Sequence, residues 1–231
     1  MILPIVFAVL IAIAHYWSDR FCKVCREFGE QMFSFVAGIA TVYVFLGLYP
    51  EFYRQARFLS PYAMTSVLLG FAVLYVVDKE IYRKTSRSER RFDLEMAHGV
   101  GLMAYYLVVG IALYRLTEVS VRSGVLFFIP VFIYSGISAM SLYGLRLTDA
   151  RKTELSYLEM MQGFCVLAGA FIAQFFFIPS SFMIYLVGLV AGILTYVVFR
   201  DMLPKGKQGE PLYFVVGGAI YLVLIAVLWT L

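Results

Sequence analysis

Charge is what this sequence has least of. Only 15% of its 231 residues are Asp, Glu, Lys or Arg, where a soluble domain carries about a quarter. That scarcity excludes a soluble enzyme. With 62% hydrophobic residues and a mean hydropathy of +0.84, too few polar side chains remain to cover a water-facing surface. Histidine occurs twice and cysteine three times. Two imidazoles leave little room for a His-based catalytic or metal cluster, and three thiols are not the even framework of an oxidised, stapled domain. No Walker loop, dinucleotide fingerprint, Ser-His-Asp arrangement or haem motif is present, so no enzyme activity is expected. The net charge of +4 is no footprint for nucleic acid, and the expected partner is the lipid bilayer.

What the chain does have is long apolar runs. Eight stretches approach the roughly 20 residues that a helix of about 1.5 Å rise needs to cross hydrocarbon. They are 2–17, 32–49, 60–77, 97–114, 124–144, 158–177, 181–199 and 212–230. The expectation is an all-α membrane protein with one polytopic domain over 1–231. Turn chemistry separates the spans at Tyr49-Pro50-Glu51, Ser60-Pro61, Pro179-Ser180-Ser181 and Leu203-Pro204-Lys205-Gly206. The first stretch lacks the basic leader and cleavage site of a signal peptide and reads as a retained span. Helix is expected to run on past His15 and Tyr16. The connections after spans one, three, five and seven hold 15 of the 19 Lys and Arg, and the other connections and termini hold 4. The positive-inside rule then puts both termini outside, in the cytoplasmic (inner) membrane of a prokaryotic cell.

The sequence also repeats itself. Residues 36–51, VAGIATVYVFLGLYPE, and 190–205, VAGILTYVVFRDMLPK, agree without gaps at eight of sixteen positions, including Gly38/Gly192, Thr41/Thr195 and Pro50/Pro204. Spans two and seven run in opposite directions in the charge-derived topology. Equivalent helices of opposite direction are the mark of an inverted-topology repeat, here 3+2+3. Ser34-x-x-x-Gly38 and Gly188-x-x-x-Gly192 suit close helix packing.

On these residues the chain resembles the ZIP family of divalent-metal transporters. SFVAGIATVYVFLGLYPEF (34–52) is similar to that family's second-span signature, and GLVAGILTYVVFRDMLPK (188–205) to its seventh span. The resemblance implies eight spans, outward termini, the 3+2+3 repeat and a cytoplasmic loop between spans three and four. It also implies a metal centre on spans four and five, and there the sequence departs. Tyr105, Tyr106 and Val109 stand where the family's His, Asn and Asp are expected. Phe127, Phe128 and Val131 stand at the fifth-span ligand positions, and Gly47 stands where a His is frequent on span two. The midplane should therefore be apolar or aromatic.

Ionisable groups near the bilayer remain the candidates. Glu95 and His98, at i, i+3 on the fourth span, share a face, the geometry of helical-bundle metal sites. Glu159, on the sixth, joins them if the two helix starts approach. Two carboxylates and an imidazole suit a divalent metal such as zinc or manganese. Otherwise Glu159 pairs with Lys152, Arg200 or His98 and is structural. His15, Asp19 and Cys22 share a face at i, i+4, i+7, with Cys25 a turn further, either as soft-metal or redox ligands or as an ordinary helix end. Residues 79–91, KEIYRKTSRSERR, carry six Lys and Arg that suit anionic cytoplasmic lipid or simply set topology. Two functions follow: a ZIP-like protein that moves or senses a cation by a modified route, or a non-transporting scaffold or partner subunit of the same fold. A homodimer fits either.

Overall fold

A computed structural model describes residues 2–24, 29–84, 90–137, 149–203 and 209–230. Among them are only helices: α1 (Leu3–Val24), α2 (Gly29–Val42), α3 (Tyr49–Leu59), α4 (Met64–Lys84), α5 (Arg90–Val119), α6 (Val121–Ile137), α7 (Asp149–Phe175), α8 (Ser180–Val197) and α9 (Pro211–Thr230). A π-helical segment, Tyr43–Leu48, joins α2 to α3 without a break, and a second, Val198–Met202, extends α8. The described helices thus make eight rods. Four stretches are long and apolar enough to cross a membrane, Gly29–Phe58, Gly99–Val119, Ser180–Arg200 and Pro211–Thr230. Three shorter apolar helices, Leu3–Ser18, Val121–Gly136 and Met160–Phe175, accompany them. Large apolar side chains cover the outside, such as Leu68, Phe164, Phe177 and Val223. Water would reject that surface and lipid accepts it.

Two expectations about element ends need correction. Tyr49-Pro50-Glu51 does not end the second rod. Tyr49 stays in the right-handed helical region (φ −63°, ψ −46°), and helix runs on to Leu59. A proline lacks the N–H for its own turn and crowds the preceding one; the wider π turn just before Pro50 relieves that crowding. The fourth rod is also longer than its apolar core, because charged turns at 90–96 continue the helix outward. Elsewhere proline acts as expected: Ser60, before Pro61, is extended (φ −167°, ψ 115°).

Packing depends on absent side chains. A Cβ on Gly38 of α2 would strike the carbonyl oxygen of Phe214 on α9, and one on Gly192 of α8 would strike that of Val67 on α4. Both contacts return from the partner helix: Gly217 lies against the Phe35 carbonyl and Gly70 against the Leu189 carbonyl. In lipid such close backbone approach is a main source of helix association. Beside them α1 packs on α6 and α7, and α5 on α7.

One hydrogen bond repairs a defect. Pro130 lies inside α6, so the carbonyl of Leu126, four residues earlier, has no helical donor. The buried Tyr221 hydroxyl of α9 donates to that oxygen at 2.5 Å. Away from water, a freed backbone group needs such a neighbour to satisfy it.

Candidate functional site

The first π segment borders the opening of interest. A cavity of about 280 Å³ lies where Tyr43, Gly47 and Glu51 of the second rod meet Leu116 of α5, Ser123 of α6 and Trp229 of α9. Apolar walls come from Leu46, Leu126 and Val187. Glu51 sits in the first turn of α3. Its carboxylate accepts two bonds from Arg54 Nη2 at 2.7 and 2.9 Å, one from Arg54 Nε at 3.2 Å and one from Gln55 Nε2 at 2.6 Å. Arg54 is two-thirds exposed, so this is a solvent-screened pair of small worth, and the carboxylate can exchange its partner.

Below the cavity the centre is closed by aromatic rings. Tyr43, its floor, is buried and stands 6.0 Å from Phe127 and 6.2 Å from Tyr221. Tyr105 and Tyr106 pack edge-on at 5.1 Å, and both are buried with Val109 and Val131. Phe128 stacks on Phe7 of α1 at 4.5 Å. Tyr105, Tyr106, Val109, Phe127 and Val131 are therefore core, Phe128 packs against it, and Gly47 lines the cavity. These core positions offer aromatic rings and aliphatic carbon, not the several oxygen or nitrogen donors that replace a divalent ion's water.

No family model and no curated protein matches the chain.

At the opposite end of the bundle sits a charge pair. Asp78 of α4 is buried, the only Asp, Glu, Lys or Arg so placed among the described residues. Its Oδ2 lies 2.5 Å from Arg200 Nε, on the second π segment, and also accepts the Tyr196 hydroxyl of α8. Arg200, weighed from sequence as a partner for Glu159, is bonded to Asp78. Sequence reasoning missed Asp78 because it stands first in a basic stretch and reads there as solvated. The available signal was its position at the apolar boundary, together with a Tyr and an Arg spaced i, i+4 at the end of another span.

Of the residues singled out from sequence, His15 is buried, with its ring edge-on to Tyr106 at 4.6 Å and neither nitrogen hydrogen-bonded among the described residues. Helix α1 continues to Val24, so positions 15, 19 and 22 do share a face. The side chains of Asp19 and Cys22, and all of Cys25, lie outside the described residues. So do the side chains of Glu95, His98 and Glu159. The backbones carrying them do adjoin: Gln162 Nε2 donates to the Gly99 carbonyl at 3.3 Å, and a Cβ on Gly99 would meet Leu158 at 3.2 Å. Positions 95–98 of α5 and 159 of α7 thus begin the same seam. Among the described residues no three His, Cys, Asp or Glu form a metal-holding group.

Proposed function

We propose that the chain is an integral membrane protein of secondary-transporter construction, ZIP-like in topology, that moves a small cation by a route avoiding a midplane metal centre. Spans 1–3 and 6–8 form its inverted repeat, and both termini face outside a prokaryotic inner membrane. The supporting observation is the matched behaviour of two stretches 154 positions apart in the sequence alignment. Both carry a π segment, at Tyr43–Leu48 and Val198–Met202. Both back-bond a threonine to the carbonyl four residues earlier, Thr41 to Ala37 and Thr195 to Ala191. Both press a glycine, Gly38 and Gly192, onto a helix of the other half, α9 or α4. π turns recur at functional sites because they free backbone groups inside a helix, and two in register are hard to ascribe to unrelated helices.

The cation enters at the Glu51 cavity. On the basic side it meets the seam of α5 and α7, where Glu95, His98 and Glu159 supply two carboxylates and an imidazole suited to zinc or manganese. The basic run 79–91 holds that side against anionic lipid. The packed aromatic centre favours a second reading, a non-transporting scaffold or partner subunit of the same fold, and one experiment separates the two. Purified protein is assayed for zinc and manganese by calorimetry and, in vesicles, for uptake, beside a His98→Ala, Glu159→Gln variant. Uptake that the variant loses supports the cation route. Absence of binding and uptake in both proteins leaves the scaffold.

A further inference from the structure

The Glu51 cavity has the wrong lining to retain a bare metal ion. Its volume of about 280 Å³ is close to the lower end of small-molecule sites, roughly 300 Å³. Among its lining side chains only Tyr43, Glu51 and Ser123 carry oxygen, and only Glu51 is an acid. A divalent ion replaces its water with about four to eight donors, and three such groups with a single charge fall short of that. Gly47 adds no donor. Its missing side chain leaves room beside the Tyr43 ring, whose Cδ2 and Cε2 a Cβ there would meet at 2.9 and 3.0 Å. Apart from Arg54 the remaining walls are apolar, with Trp229 as a second ring.

We propose that this cavity binds a monovalent organic cation, its ammonium head set against Glu51 and its apolar body along the walls. The assignment goes beyond the transport reading and holds equally for a scaffold. Burial sets the sign of the charge. The Glu51 side chain is 25% exposed and that of Arg54 is 67% exposed. Arg54 can turn into water at little cost, because an exposed ion pair is worth little. What then faces the apolar space is a carboxylate. Tyr43 and Trp229 add aromatic rings, whose π faces attract a cation. An ammonium with apolar substituents sheds little water on entering, whereas a divalent ion must give up a tightly held shell. An anion would meet Glu51 inside the cavity, with Arg54 on the solvent side.

Trp229 reports on the site directly. The sequence has one other tryptophan, Trp17 on α1, so Trp17→Phe leaves Trp229 as the single indole. The full chain with that substitution, purified in detergent, is titrated with benzyltrimethylammonium, and Trp229 fluorescence should change saturably. Benzenesulfonate, an anion of similar size, and zinc chloride should leave it unchanged. Glu51→Gln should weaken benzyltrimethylammonium binding about tenfold. Arg54→Gln, which removes the carboxylate's competing partner, should tighten it about threefold. A saturable response to benzenesulfonate or to zinc in place of the ammonium overturns the proposal, as does equal affinity before and after Glu51→Gln. If Glu51→Gln does not fold, Arg54→Gln decides, because that side chain is largely exposed; binding unchanged or weakened there overturns the assignment. No saturable response in the parent protein overturns it outright. Zinc and manganese uptake in vesicles tests the transport reading separately, so the two can fail independently.

Discussion

Residues 43–59 and 197–203 begin alike and end differently. Each has a π segment followed two residues later by proline, at Pro50 and Pro204. Tyr49 nevertheless stays helical before Pro50, whereas Leu203 is extended (φ −73°, ψ 121°) before Pro204. The residues after each proline decide the outcome. Beyond Pro50 come Phe52 and Ala56, four apart and both buried, with Glu51, Arg54 and Gln55 on the other side, so a continued helix has a core to pack on. Beyond Pro204 the sequence reads Lys-Gly-Lys-Gln-Gly-Glu, with two glycines and nothing apolar to bury. Proline proposes a helix end, and packing accepts or refuses it.

The strongest way to break that comparison is to remove the anchor. Phe52→Ala should cost about 3–5 kcal/mol, and amide exchange over 51–59 should rise as α3 frays, while 180–203 stays protected. Fraying at both places would mean that the two ends are not governed locally. Next in size are the crossings: Gly38→Ala and Gly192→Ala should each cost about 3 kcal/mol by forcing backbones apart, and by similar amounts. Thermal unfolding in detergent measures both, and a large inequality would argue against their equivalence. Tyr221→Phe leaves the Leu126 carbonyl orphaned and should cost about 1–2 kcal/mol. Adding Pro130→Ala, which restores the helical donor, should recover most of that loss in a double-mutant cycle. The smallest effect is Pro50→Ala. Because the π turn already relieves the proline, stability should change by under about 1 kcal/mol, and the π turn should persist.

Much of this was legible in the sequence. Apolar run length marks the eight rods, and the 36–51/190–205 alignment marks where the π segments and crossing glycines fall. The apolar centre follows from Tyr105, Tyr106, Phe127 and Val131 themselves. The missing parts are those set by partners distant in sequence. Tyr196 and Asp78 are 118 residues apart, and Tyr49 and Thr195, whose hydroxyls lie 3.1 Å apart, are 146 apart. No local pattern in 78–91 tells a buried carboxylate from a solvated one. Nor does Pro130 alone disclose that a tyrosine 91 positions later completes its turn.

That repaired turn bears on biosynthesis. A ribosome delivers α6 to the membrane well before α9, because Leu126 and Tyr221 are separated by 95 residues. Over that interval the Leu126 carbonyl lacks its final donor. Ser34 likewise waits for the Glu210 N–H, 176 residues on. Helices α2 and α6 are therefore made with faces that stay unfinished until α9 arrives. A nascent chain stalled before residue 211 should stay open to exchange along α2 and α6, and completing α9 should close both together.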